Sequence, residues 1–276
     1  MRTILITGCS SGIGLHCALR LKEEGWKVFP TARQKKDLKM LESHGFQAVF
    51  LDYEDEKSIH SAFNYVMKQT DRKLDALFNN GAFGQPGAVE DLTTDILRQQ
   101  FEANFFGWHT LTNLCVPVMR AQGHGRIVHC SSILGWIPYS WRGAYNSSKY
   151  ALEGLALTMR LELMESGINI SLIEPGPIAT DFGKNALAKL KQNIDMENSP
   201  HTETYKKRIN ALEKETNSGV NRFRLSSEAV YKKLDHALNA KNPKAHYPVT
   251  IPTHFMNFAR RFFPQALLDR ILLKSG

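Results

Sequence analysis

Hydrophobic positions along the chain alternate between two periods. Short apolar runs rich in β-branched residues are followed by longer stretches in which apolar residues recur three and four positions apart, the marks of buried strands and amphipathic helices. Thr3 to Thr7, Lys27 to Thr31, Gln47 to Leu51, Leu74 to Phe78, Arg126 to Cys130, Asn169 to Ile173 and His246 to Val249 read as strands. Leu15, Ala18, Leu19 and Leu21 mark a helix that stops at Gly25, and Ile59, Ala62, Phe63, Val66 and Met67 share one face of a helix from Glu56 to Gln69. Thr93 to Ala121 reads as one long helical region, and Ser226 to Leu238 as a capped helix. Strands alternating with helices of this length require right-handed crossovers, so the pattern predicts a single α/β domain built on a doubly wound parallel sheet of about seven strands. Pro30 fits poorly, because proline in a central strand removes a ladder donor.

Ligands in such a sheet bind at the carboxyl ends of the strands, and the chemistry-bearing residues fall there. The first strand runs into Gly8-Cys9-Ser10-Ser11-Gly12-Ile13-Gly14 and then a helix. Gly8 and Gly12 permit a tight turn and close approach of backbone to a pyrophosphate, Gly14 permits close helix packing, and the helix start supplies amides and a positive dipole end. A basic residue, Arg33, stands at the tip of the second strand, where an acid would bind the ribose of NAD, which argues for NADP. Asp52 and Asn79 end the next two strands, placed either to contact adenine or to serve turn chemistry. Asn104 lies amid apolar helix neighbours, where it caps a kink or holds a functional water. Ser132 follows the fifth strand. The loop after it carries Trp136, Tyr139 and Trp141, which are either simply buried or, beside a reactive site, the favoured lining of an apolar substrate mouth. Tyr145 and Lys149 are four apart at the head of a helical segment through Leu152 and Leu155, so phenol and ammonium project into one site. A cation there favours the phenolate and brings the phenol toward proton transfer.

Composition adds three constraints. The formal charge of +8 lies entirely in the last third, where residues 184 to 276 carry 17 Lys and Arg against 8 Asp and Glu. That localisation argues against a general nucleic-acid role. The opening Met1-Arg2-Thr3 leaves no room for a secretory leader, and no apolar run reaches the span of about 20 residues that a membrane crossing needs, so a cytoplasmic protein is expected. Cys9, Cys17, Cys115 and Cys130 have no metal-binding spacing and read as reduced, partly buried thiols. Residues 184 to 224 read as a helical flap on the substrate side. The basic amphipathic tail, 250 to 276, reads as a membrane-surface element, a cover for the cleft, or a helix pair packed on the body or in a homo-oligomer interface.

Taken together, Thr7-Gly8-x-x-x-Gly12-x-Gly14, Asn79-Asn80, Asn104, Ser132, Tyr145-x-x-x-Lys149 and Pro175-Gly176 resemble the motif series of the short-chain dehydrogenases/reductases, in order and spacing, over residues 1 to about 183. The tail is similar to the subgroup containing NADP-dependent aldehyde reductases, retinol dehydrogenases and 17β-hydroxysteroid dehydrogenases. The resemblance implies a Rossmann-type fold and an NADP(H)-dependent oxidoreductase for a hydrophobic aldehyde, ketone or alcohol. It implies that Tyr145 exchanges a proton with the carbonyl oxygen, Lys149 lowers the Tyr145 pKa, Ser132 polarises the carbonyl and Asn104 holds a water. Ile178 and Thr180, beyond Pro175 and Gly176, would fix the nicotinamide, and Gly81 would border the cofactor. One departure stands out: the family has Asn-Asn-Ala-Gly where this chain has Asn79-Asn80-Gly81-Ala82. A non-catalytic NADP(H) sensor on the same fold is the alternative.

Overall fold

A computed structural model describes residues 1–218 and 224–275 of the chain. Seven strands, β1 (Thr3–Ile6), β2 (Lys27–Ala32), β3 (Val49–Phe50), β4 (Ala76–Asn79), β5 (Gly125–Cys130), β6 (Ile168–Glu174) and β7 (His246–Pro248), form one sheet in the order β3-β2-β1-β4-β5-β6-β7. Every pairing is parallel. The order reverses between β1 and β4, which opens a crevice at the carboxyl edge. The central strands are buried along almost their whole length, as expected where helices cover both faces of a parallel sheet.

Helices α1 (Gly12–Glu23), α2 (Lys35–Ser43), α3 (Glu56–Gln69), α4 (Thr94–Phe101), α5 (Gly107–Gln122), α6 (Gly143–Glu162), α7 (Phe182–Asn193), α8 (Thr202–Ser218), α9 (Ser227–Asn239), α10 (Ile251–Phe262) and α11 (Gln265–Ser275) complete the chain. The apolar stripe of α3 buries Ile59, Ala62, Phe63, Val66 and Met67, and Asp55 caps its start by accepting from the Lys57 N–H at 3.0 Å. Pro30 is accommodated because β3 pairs only with Thr31 and Ala32, so Pro30 lies before that ladder begins.

The residues after Arg33 continue into α2. The single long helix of residues 93–121 is interrupted by a five-residue π-helical turn, Glu102–Phe106, with Asn104 fully buried inside it. The segment read as a helical flap forms two helices, α7 and α8, held by a small core of Leu190, Ile194 and Tyr205; residues 219–223 of that segment lie outside the described residues. Among the described residues no helix is long and apolar enough to cross a membrane.

Candidate active site

The carboxyl ends of the strands open into one cavity of about 1060 Å³ that runs from the glycine turn to the C-terminal helices. Its cofactor end is built by close backbone contact. Gly8 has φ +69°, and a Cβ on it would lie 2.3 Å from the Gly81 Cα. Gly81 in turn faces the Gly8 N and Cα, so the inverted Gly81-Ala82 order removes a methyl where the two chains meet. Gly12, at φ +57°, faces the Thr180 methyl, which closes the turn from the opposite wall. The Asn80 amide donates to the carbonyls of Thr7 (3.0 Å) and Gly8 (3.2 Å), tying the turn to the end of β4. Ser11, ahead of α1, makes no side-chain cap, which leaves its hydroxyl and the first-turn amides for an anion. These features fit a dinucleotide: a cradle in which side chains have been removed so that backbone can touch phosphate.

Ser10, Ser11, Ile13, Arg33, Asp52, Gly81, Pro175, Gly176, Ile178 and Thr180 all line the cavity. Arg33 is half-exposed, with its guanidinium 3.6 Å from Glu54, and Asp37 lines the same end. Asn79 is different. Its Oδ1 lies 2.7 Å from the Tyr53 hydroxyl, and its Nδ2 meets Thr112 Oγ1 at 3.0 Å and His129 Nδ1 at 3.2 Å. The side chain is fully buried and its hydrogen-bonding capacity spent inside the core, so the reading of Asn79 as an adenine contact is corrected to a strut behind the groove wall.

At the other end, Ser132, Tyr145 and Lys149 come together, each less than a tenth exposed. Ser132 opens a short helical turn and accepts from the Leu134 N–H at 3.1 Å. Lys149 donates to the Cys130 carbonyl at 2.8 Å and lies 4.2 Å from the Trp108 ring and 5.7 Å from the Tyr145 ring. Trp108 stacks on His129 and donates to the Gly81 carbonyl at 2.8 Å, so one indole positions both the lysine and the cofactor wall. Burial lowers the Lys149 pKa to about 8, with Glu153, one turn on, opposing the fall.

The sequence expectation for Tyr145 is corrected here. Burial raises its pKa above the ordinary value; a hydrogen bond with Ser132 and the charge of Arg142 pull it back only in part. The phenol is therefore a held proton, not a phenolate. Arg142, which sequence reasoning passed over, lines the cavity beside it. Asn104 sits between the π-helical turn and the cavity wall: its Oδ1 accepts from the Phe83 N–H at 3.1 Å, and its Nδ2 donates to the Phe83 carbonyl at 2.9 Å. A longer contact reaches Ser148 at 3.4 Å. The amide thus clamps Phe83.

Of the three aromatic residues read as the substrate mouth, only Tyr139 lines the cavity. Trp136 is buried against Met256, Ala259 and Leu268 and holds the tail onto the body. Trp141, strained at φ +68°, meets Tyr205 edge-on at 5.1 Å and holds α8. The apolar lining comes instead from Phe83, Ile137, Phe182 and the tail residues Phe255, Met256, Ile271 and Leu272. Beneath the Trp136 clasp, Glu174 Oε1 lies 2.7 Å from His246 Nδ1 and its Oε2 accepts from the Tyr247 N–H at 2.9 Å. Glu153 is buried close by; burial pushes both carboxyls upward, and the Glu174 charge adds to the rise at Glu153. This buried cluster fastens β7 to β6.

Comparison with known proteins agrees with the geometry. The family model described as short chain dehydrogenase matches residues 2–191. The chain is 40% identical over 272 residues, 98% of it and 94% of the relative, to the uncharacterized oxidoreductase YbbO of Escherichia coli K12. It is 32% identical, across 100% of its own length and 97% of the relative, to the NADPH-dependent 3-dehydrocapnine reductase of Ornithobacterium rhinotracheale. A crystal structure of a short-chain dehydrogenase from Streptomyces avermitilis superposes with a TM-score of 0.81 at 26% identity, covering 99% of this chain and 97% of that one. With a matching profile, full-length relatives and a nicotinamide-dinucleotide fold, the chain belongs to the short-chain dehydrogenase/reductase family and is an oxidoreductase of that type.

Proposed function

We propose that the protein is an NADP(H)-dependent carbonyl reductase or alcohol dehydrogenase acting on a hydrophobic aldehyde, ketone or alcohol. The observation that carries this reading is the convergence of Ser132, Tyr145 and Lys149 at the apolar end of a cavity whose other end is the glycine cradle. When bound, the reduced dinucleotide supplies the hydride. The Tyr145 phenol, kept protonated by burial, hands its proton to the carbonyl oxygen, and the Ser132 hydroxyl donates to the same oxygen. The Lys149 ammonium stabilises the phenolate left behind. Asn104 positions Phe83 and through it the cavity wall. A sensor that only bound dinucleotide would have no use for a buried proton donor facing an apolar chamber, which disfavours that alternative. The test is consumption of NADPH, followed by its absorbance, with a panel of long-chain aldehydes and ketones; no turnover across the panel would end the reading.

The preference for NADP rests on Arg33, which lines the cavity near the glycine turn and whose half-exposed guanidinium would turn from Glu54 to a 2′-phosphate. The NADPH dependence of a relative 32% identical points the same way. Arg33→Asp is expected to move the NADPH to NADH ratio of kcat/KM by about tenfold or more toward NADH. Equal ratios before and after would mean that Arg33 does not select the cofactor.

A further part of the reading is peripheral contact with an anionic membrane surface. Ile251, Phe255, Phe258 and Phe262 recur along one stripe of α10 and are 48–75% exposed, while Thr253, Met256 and Ala259 bury the opposite side. Arg261 lies in the last turn of α10 and Arg270 and Lys274 follow in α11, so the tail is basic; like charges would oppose a two-fold pairing of copies, whereas an anionic surface neutralises them. At low salt the full-length protein is expected to co-sediment with vesicles of equal parts phosphatidylcholine and phosphatidylglycerol and not with phosphatidylcholine alone. Recovery of all the protein in the supernatant would remove the membrane, and a dimer by light scattering would assign the stripe to a second copy. Four buried, free cysteines fit the reducing, cytoplasmic location that this reading assumes.

A further inference from the structure

The substrate end of the cavity holds charge that proton transfer to a neutral carbonyl does not require. Arg142 immediately precedes α6, three positions before Tyr145, and both residues border the cavity. It lines the cavity with Tyr139 and Tyr145. Burial lowers its pKa, and its charged or titratable neighbours among the described residues are Tyr139, Tyr145 and a second cation, Arg208. Arg208 lies over the Trp141 ring at 4.8 Å, and no described carboxylate pairs with it either. Lys189, its ammonium 5.3 Å from the Phe83 ring, lines the same chamber. The acids that border the cavity are Asp37 in the first turn of α2, Asp52 just after β3 and Asp181 ahead of α7, and none of them is paired with Arg142.

A guanidinium withdrawn from water without a counter-ion is costly, and a second cation acting on it adds to that cost, unless an anion arrives to pair with it. Arginine is suited to that task because its planar fork matches a carboxylate or sulfonate with paired hydrogen bonds. The tail supplies the complementary half. Phe255, Met256, Ile271 and Leu272 line the chamber with apolar surface and carry no charge.

We propose that Arg142, backed by Arg208, is an anion-binding subsite for the substrate, which is therefore an amphiphilic oxo acid. Its acidic group is held at Arg142, its carbonyl lies between Ser132 and Tyr145, and its apolar chain extends to the C-terminal helices. This rests on the reductase reading above and narrows it from any hydrophobic carbonyl to one that also bears an acidic group. The arrangement selects orientation as well as class, because a carbonyl fixed at both ends presents one face to the nicotinamide.

The test uses the full-length protein with NADPH and a series of long-chain oxo carboxylic acids, the ketone set at successive distances from the carboxylate, each paired with its methyl ester. At least one acid is expected to exceed its ester in kcat/KM by on the order of tenfold or more. Arg142→Gln is expected to bring that ratio close to one, while Arg142→Lys keeps part of it. A ratio near one for every pair in the wild type overturns the subsite, as does a preference that survives Arg142→Gln. If neither acids nor esters are reduced, the failure belongs to the reductase reading, and calorimetric titration with decanoate decides the subsite by itself. Saturable binding weakened about tenfold in Arg142→Gln supports it; no binding to the wild type, or equal binding to both, overturns it. Should Arg142→Gln fail to fold, the wild-type ratio and its partial retention in Arg142→Lys decide the same question.

Discussion

Tyr145→Phe is expected to lower kcat for NADPH-dependent carbonyl reduction by about 10²–10⁴-fold, the usual contribution of a positioned general acid. The substitution removes one oxygen and little else. The ring keeps its edge-on contact with Phe182, at 5.4 Å between centroids, and no cavity opens. NADPH affinity is expected to stay within a few-fold of wild type, because the cradle of Gly8, Gly12 and Gly14 and the wall at Thr180 make no use of the phenol. KM should move less than kcat, since the proton is delivered only as charge develops on the carbonyl oxygen. The wild-type rate gives a second handle. Lys149 titrates at about 8, so above that pH the ammonium that stabilises the departing phenolate is lost and reduction slows. Turnover by Tyr145→Phe within about tenfold of wild type, measured as NADPH consumption, would remove the phenol from the chemistry.

The direction of the Tyr145 shift shows where sequence reasoning stops. Four-residue spacing places Tyr145 and Lys149 on one helix face, and the structure puts both side chains at the cavity. Spacing does not reveal how much water is left around them. The sequence suggests that a neighbouring cation dominates; in the fold, burial dominates, and Lys149 spends its strongest hydrogen bond on the Cys130 carbonyl. The phosphate cradle is more legible, because it is local: a strand, a glycine turn and a helix start lie within one short stretch, and their geometry follows from residues adjacent in the chain. Asn79 and Asn80 illustrate the limit, since both end β4 and both are amides. One turns into the core toward Tyr53 and His129, and the other toward the glycine turn, a choice set by strand alternation against neighbours from distant parts of the chain.

Trp136 and Trp141 fail as substrate contacts for a related reason. Their apolar character is readable, but their partners are not, being Met256 and Leu268 from the tail and Tyr205 from α8. Phe255 and Leu272 belong to the tail, for which the sequence left a surface element, a cover for the cleft and a packed helix pair open, and both line the chamber. Arg142 carries the one signal that was available and unused: a cation three positions ahead of Tyr145.

Gly14→Ala is expected to cost stability and NADPH binding together, and its sign separates helix propensity from tertiary contact. Gly14 is in the first turn of α1, where propensity alone predicts a gain of about 0.5–1 kcal/mol for alanine. The added Cβ would lie 2.3 Å from the Gly8 carbonyl oxygen and 2.7 Å from Asn80 Nδ2. The first of these is backbone and cannot swing aside, so either α1 shifts or the Gly8 turn opens. Either movement weakens the hydrogen bonds from Asn80 to the Thr7 and Gly8 carbonyls. Overpacking costs about 1–3 kcal/mol, and each hydrogen bond about 1 kcal/mol more, so a net loss of roughly 3 kcal/mol outweighs the propensity gain. The thermal midpoint is expected to fall by several degrees and NADPH affinity to drop sharply, because the displaced turn is the phosphate cradle. Gly154→Ala is the matched control. It lies in α6 with nothing within 4 Å of the new methyl, and it is expected to raise the midpoint with NADPH binding unchanged. Parallel gains in both variants, read by calorimetry and by NADPH titration, would mean that Gly14 is not pressed against the glycine turn.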